Sequence, residues 1–175
     1  ELSKKYKLKL TGHVPLSMDV IAASNLGLNS IEHFRNVELS MTNLAEELLE
    51  ERKKLLTNKS SLSGANLRSL LHTKQRMRAI YSLDSSKIKK VANVLSKNDT
   101  WQIPTLKLYK NFALKNYKQS EYLSSLSLLP EDIESIWRKR IKGISKDLIV
   151  QMKDFTNWSS SMVKFMHERG ITFMA

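Results

Sequence analysis

The sequence predicts a helix-rich α/β fold, because short strand-like runs alternate with longer amphipathic helices. Residues 8–34 read as strand, helix and strand, in the order LKLTGHVPLSMDVIAASNLGLNSIEHF. Later segments place apolar residues at helical spacing. Glycines stand where two of the helices should end, and each is followed by a short apolar run, SIEH or ITFMA.

The first strand, helix and strand form a predicted βαβ unit. Residues 7–11 have the alternation of a short strand, which we expect to end at His13. Ser17 is the predicted N-cap of the helix, and Gly27 its stop. Residues 30–33 form the second strand. Two strands joined by one helix favour parallel pairing and a right-handed crossover.

The segments that follow are predicted to be mainly helical. The predicted helices cover residues 44–56, 67–81, 84–97, 130–143 and 146–169, and the first, third and last have an apolar stripe. Asp84 or Ser85 is the expected N-cap of the third of these helices. We interpret residues 38–83 as a helical insertion after the second strand. His72 and His167 lie in helices, and we expect them to be surface or packing residues.

Two further strands are predicted near the end of the chain. Residues 101–106 form the third strand, and Pro104 should mark its end or a bulge, because proline cannot donate to the ladder. The run ITFMA, after Gly170, is the fourth. Between them, residues 108–129 are aromatic and lysine-rich, which predicts a loop with short helical pieces over the site.

The two histidines that end the first strands, His13 and His33, are the candidate site. Parallel strands carry functional groups at their carboxyl ends. Neighbouring strands lie about 4.8 Å apart, so two imidazoles at matching heights can bind one metal ion. The alternative is that His13 and His33, two of four histidines in the chain, have no functional role. Their spacing alone leaves both interpretations open.

This segment resembles the fifth and sixth barrel strands of the amidohydrolase superfamily, in its imidazolonepropionase- and prolidase-like branch. The resemblance rests on GHVP, a helix with two alanines, a glycine stop and SIEH. It implies that His13 and His33 bind metal or act in catalysis. A Trp followed by Pro-Thr is also typical of the seventh strand, which implies Thr105 on the substrate side. A strand-ending turn is the alternative for Thr105.

The resemblance implies a fold and an activity. The fold is a partial (β/α)8 TIM-type barrel with about strands five to eight, and the rest of the barrel would be its partner. The activity is hydrolysis of amides, dipeptides or cyclic ureides by water activated on a divalent metal ion, for which zinc is the first candidate. If the site binds two metal ions, the resemblance implies that His13 and His33 both bind the second ion. If it binds one ion, His13 is a ligand and His33 holds the substrate carbonyl or the attacking water. A metal-binding Asp and strands one to four would lie outside residues 1–175, so this chain alone is expected to be inactive.

Composition and charge indicate which partners to expect. Hydrophobic residues make up 41% and no apolar run is long enough for a membrane span, so we expect none. The opening ELSKKYK is unlike a signal peptide, and the absence of cysteine excludes thiolate metal ligands. Exposed strand edges and an uncovered apolar face in a half barrel predict that the chain self-associates or remains partly disordered.

The formal charge of +12 raises an alternative function. Such a charge fits nucleic acid or an acidic membrane surface. The lysines are dispersed, however, and no basic stripe is paired with stacking aromatics, so we expect no nucleic-acid partner. The alternative function is a non-catalytic, basic helical binding module over residues 38–169, in which the histidines are incidental.

Overall fold

The structure, a computed structural model, describes residues 2–58 and 64–174. Within those residues the fold is α/β and helix-rich, with one small parallel sheet. The described residues form two compact units. The sheet unit contains the residues up to 104 together with those from 161 onward, and the helical unit contains residues 105–160.

The sheet unit is built on three short parallel strands, β1 Thr11–Gly12, β2 Ser30–Glu32 and β3 Trp101–Ile103. They lie side by side in chain order, β1-β2-β3, with Ser30 between Thr11 and Trp101. Beyond β3, an isolated parallel bridge joins Gln102 to Phe173. The predicted parallel pairing of the first two strands is confirmed.

The strands are shorter than the sequence predicts. β1 begins at Thr11 instead of residue 7, and the exposed Leu10 bonds its N–H to the Asn29 side chain at 2.8 Å. β3 ends at Ile103, immediately before Pro104, so of the two alternatives predicted for Pro104 the structure has the strand end, and the predicted extension to residue 106 was wrong. The predicted fourth strand is reduced to the Phe173 bridge, so its extent was wrong. Alternation marks residues suited to a strand, but pairing decides how many join the ladder.

The helices of the sheet unit are α1 Leu2–Lys5, α2 Val20–Asn25, α3 Ala45–Thr57, α4 Gly64–Tyr81 and α5 Ser85–Lys97. Those of the helical unit are α6 Leu106–Ala113, α7 Ser120–Ser125, α8 Glu131–Lys142 and the first part of α9 Lys146–His167. Short 3-10 turns cover Glu38–Ser40, Asn116–Lys118 and Leu126–Leu128. None of the helices in the described residues combines the length and apolar character that crossing a membrane requires.

The start of α2 differs from the prediction. Asp19, and not Ser17, is the N-cap, and its side chain accepts a 2.7 Å hydrogen bond from the Ala22 N–H. Both residue types are good N-caps, so the sequence did not decide between them. Gly27 follows the helix with φ of +102°, in the left-handed region where a glycine stop is expected.

Helices α3 and α4 lie between β2 and α5 in the chain, in the segment interpreted as a helical insertion. Buried polar contacts fix both helices. The fully buried Glu38, the first residue of the segment, accepts a 2.9 Å hydrogen bond from Arg76 of α4, and buried Arg52 of α3 donates to the Leu16 carbonyl, outside the segment, at 3.0 Å. Near its two ends this segment is closed by an antiparallel bridge between Thr42 and Leu83.

The helical unit has an aromatic core. Tyr109 packs edge-on against Phe155 with ring centroids 4.6 Å apart, and Phe155 contacts Trp158 at 5.4 Å. The apolar stripe of α9 is therefore packing surface here, as predicted. Residues 108–129 form α6, α7 and two 3-10 turns, so this stretch is more helical than the predicted loop.

Candidate metal centre

Two predicted site residues, His13 and His33, meet at one edge of the sheet. His13 follows β1, and His33 follows β2 directly. Because the strands are parallel, with Gly12 opposite Ile31, both histidines leave the sheet at its carboxyl edge. Their ring centroids lie 5.3 Å apart, and the ring planes are tilted by 56°. The structure thus brings the two imidazoles together, as the sequence predicted.

A third candidate ligand, Glu32, was not identified from the sequence. Its Oε2 lies 3.7 Å from His33 Nε2, and one ligand atom from each of Glu32, His13 and His33 lies within 4.8 Å of the others. Consecutive residues of a regular strand point to opposite faces. His33 has φ of +57°, which ends that alternation and lets two neighbouring residues serve one site. The only sequence signal was an acidic residue next to His33.

The turn that follows β2 holds an unusual backbone conformation. His33, Phe34 and Asn36 all have φ between +50° and +66°, a region that residues other than glycine rarely occupy. Phe34 is fully buried, and the His33 N–H donates to the Ile103 carbonyl at 2.6 Å. The Asn36 side chain donates to the Val14 carbonyl at 2.8 Å, which ties this turn to the residue after His13. Such strain persists where surrounding contacts fix it, and it clusters at functional sites.

The surroundings of His13 favour its neutral form. Burial lowers the pKa of His13, and the positive charges of Arg35 and Arg68 lower it further, against the opposing charge of Glu32. His13 Nε2 is buried and has no hydrogen-bond partner among residues 2–58 and 64–174. A neutral imidazole with an unused ring nitrogen is the form that binds metal.

The three residues fit a zinc ion in number and type. Imidazole nitrogens and a carboxylate oxygen are common zinc ligands, and a catalytic zinc takes three protein ligands and keeps one position open. Thr11 donates a hydrogen bond from its hydroxyl to Glu32 Oε1 at 3.4 Å, and such outer contacts orient ligands. The buried, unpartnered Nε2 of His13 is the observation that favours a metal over a simple histidine contact.

The remaining residues considered from the sequence lie elsewhere. Thr105 belongs to the helical unit, where it immediately precedes α6 with φ of +54°, so its place on the substrate side stays a prediction. His167 is the exposed last residue of α9, as expected. His72 lies in α4, and the prediction for its side chain falls outside the described part of the structure.

Comparison of the chain with protein-family models, with curated proteins and with solved structures finds no match. Function is therefore argued from the geometry of the residues.

Proposed function

We propose that this chain carries the metal-binding part of a hydrolase that cleaves amide or peptide C–N bonds, with His13, His33 and Glu32 as ligands. One observation supports this most directly: three ligand atoms lie within 4.8 Å at the carboxyl ends of two neighbouring parallel strands. The resemblance of GHVP and SIEH to amidohydrolase strands points to the same residues.

Each residue has a chemical task in this proposal. A bound divalent metal, zinc for this donor set, supplies Lewis acidity, which lowers the pKa of water and polarises a carbonyl. His13 contributes a neutral ring nitrogen. Because the pKa of His13 is lowered, protons compete less with the metal ion for that nitrogen. Glu32 contributes a negative charge that offsets the nearby arginines. His33 is a ligand, or in the single-metal alternative it holds the substrate carbonyl or the attacking water.

The fold we propose for the complete site is a (β/α)8 barrel with a helical insertion at about residues 38–83. Parallel strands β1, β2 and β3 in chain order, with the Phe173 bridge beyond β3, support this assignment. The bridge between Thr42 and Leu83 supports the insertion. With Glu32 the chain offers three candidate ligands, whereas the histidines alone offer two. Inactivity of the isolated chain stays a prediction from the resemblance.

Calorimetric titration of zinc into single variants tests the metal centre. We expect His13→Ala and His33→Ala to abolish binding, because each removes a ligand nitrogen. Glu32→Gln should weaken binding, because it removes the charge but keeps the shape. His167→Ala and His72→Ala are the matched controls and should bind as the parent chain does.

Circular dichroism of each variant separates loss of a ligand from loss of the fold. Zinc binding that depends on His167 or His72 as strongly as on His13 or His33 contradicts the site. Absence of zinc binding by the parent chain removes the support for a hydrolase and favours the basic binding module.

A further inference from the structure

The helical unit contains a cavity of about 510 Å³. Its wall is formed by α6, the 3-10 turn Asn116–Lys118, α7, α8, the turn after α8 and the first part of α9. Small-molecule ligands occupy cavities of this volume. The wall shares no residue with the candidate metal centre, so any ligand here would be a second one for the chain.

Aromatic side chains form much of the wall. Each comes from a different segment of the helical unit, and the four are Phe112, Tyr117, Tyr122 and Trp137. The rings of Phe112 and Tyr117 have centroids 6.0 Å apart and are tilted by 44°. Aromatic rings attract one another in offset or edge-on arrangements at such distances, beyond the gain from burial. A planar aromatic ligand can make the same contacts with this wall.

The wall also exposes large apolar side chains to solvent. Leu108 of α6, Tyr122 of α7 and Leu148 of α9 line the cavity and are exposed. Apolar surface in contact with water is the main source of affinity for an apolar ligand, because binding removes it from water. The cavity therefore favours a ligand that is apolar over most of its surface.

One cation, Arg140, lines the cavity, and no aspartate or glutamate is among the described lining residues. Its guanidinium carbon lies 5.5 Å from the ring centroid of Trp137, one turn earlier on α8. Arg140 forms no ion pair with any residue in the described part of the chain. Arg138, in contrast, donates to the Glu134 carboxylate at 2.6 Å and to the Leu123 carbonyl at 3.2 Å. An uncompensated cation beside an aromatic wall favours a ligand with a negative group.

We propose that this cavity binds a planar aromatic acid, with its rings against the aromatic wall and its acidic group at Arg140. A neutral aromatic compound of the same size lacks the charge, and a saturated acid of the same size lacks the rings. The inference does not rest on the proposed hydrolase function. Failure to bind zinc would leave it unchanged.

The experiment titrates 2-naphthoate into the metal-free 175-residue chain by calorimetry and NMR. 2-Naphthamide and decahydro-2-naphthoate are the matched probes without the charge and without the aromatic rings. We expect 2-naphthoate to bind and each of the other probes to bind about threefold more weakly or less tightly still. The indole N–H signal of Trp137, assigned through Trp137→Phe, should shift on binding.

Variants of the lining residues test the place and the charge separately. Arg140→Gln should weaken binding of 2-naphthoate about threefold and leave 2-naphthamide unchanged, since this guanidinium is exposed. Leu108→Trp fills part of the cavity and should weaken all three probes about tenfold. The controls are Lys139→Gln and Leu128→Trp, at exposed residues that are not among the lining residues. They should change binding less than about twofold.

Circular dichroism shows whether each variant keeps the fold, and the ratio between probes in the parent chain is independent of any variant. Equal binding of 2-naphthoate and 2-naphthamide overturns the acidic group, and equal binding of the saturated acid overturns the aromatic class. Binding that Leu108→Trp leaves unchanged, or that His13→Ala abolishes, overturns the place. Affinity that falls as the protein concentration rises shows that a second copy of the chain occupies the cavity, which also overturns the proposal.

Discussion

His13 is the residue at which burial, cationic neighbours and ligand geometry act together. Its pKa is lowered mainly by burial, then by Arg35 and Arg68, and Glu32 acts in the opposite direction. Since only the neutral imidazole binds metal, these neighbours reduce the competition from protons while they also repel the metal cation. The negative charge of Glu32 offsets this repulsion of the metal cation.

Removal of either arginine should raise the pKa of His13 toward the ordinary value of about 6.5. Arg35→Gln and Arg68→Gln each delete a positive charge that disfavours the imidazolium, so the direction is upward. Glu32→Gln deletes the opposing charge, so the His13 pKa should fall. NMR titration of the imidazole protons in the metal-free protein measures both directions, with Lys74→Gln as the control. A pKa of His13 that does not respond to either arginine contradicts this account of the site.

The sequence predicted the two histidines but not the residues that complete their surroundings. His13 and His33 follow apolar runs, which is a local signal. Glu32 depends on the left-handed turn at His33, and such a conformation in a residue other than glycine has no reliable sequence signal. Arg68 depends on how the insertion folds back on the sheet, which is a long-range property.

The helices were more predictable than the strands for a related reason. A helix satisfies its own backbone, so an apolar stripe and an N-cap define it locally. Asp84 is an example, because it caps α5 as expected by accepting hydrogen bonds from the Ser86 and Lys87 N–H groups. A strand forms only where its residues pair with a neighbouring strand. β1 is shorter than the alternating sequence predicts because only two of its residues pair with β2.

The buried ion pair between Glu38 and Arg76 allows the stability of the insertion to be tested. Glu38 is fully buried, and the Arg76 Nε–H donates to it at 2.9 Å. Arg76→Ala leaves the carboxylate without this cation and should destabilise the protein by about 3–5 kcal/mol. Chemical denaturation of the parent and the variant measures the loss in the free energy of unfolding.

A double variant and a surface pair are the controls for that measurement. Glu38→Leu combined with Arg76→Met removes both charges and should lose less stability than Arg76→Ala. Lys53→Ala breaks an exposed ion pair with Glu50 on α3 and should have little effect. Equal losses for the buried and the exposed pair would show that the Glu38–Arg76 pair does not stabilise the insertion.

The sheet as a whole leaves an edge strand available for pairing. β1 is the terminal strand in the order β1-β2-β3, and on its other side no strand pairs with it in the described residues. Leu8 and Leu10, immediately before it, have 66% and 48% of their surface exposed. An unpaired edge beside exposed leucines favours association with another sheet, either in a complete barrel or between copies of this chain.

We therefore expect the 175-residue chain to self-associate in solution. Replacing Leu8 and Leu10 together by lysine should shift it toward the monomer, because charge next to an edge strand opposes pairing. Leu128→Lys is the matched control, since this leucine is 85% exposed and belongs to the helical unit, whose described residues form no strand. Sedimentation velocity over a range of concentrations measures the distribution of species. A parent chain that remains a single monomeric species at every concentration, or association that Leu128→Lys abolishes and the double variant does not, would show that the β1 edge is not where copies meet.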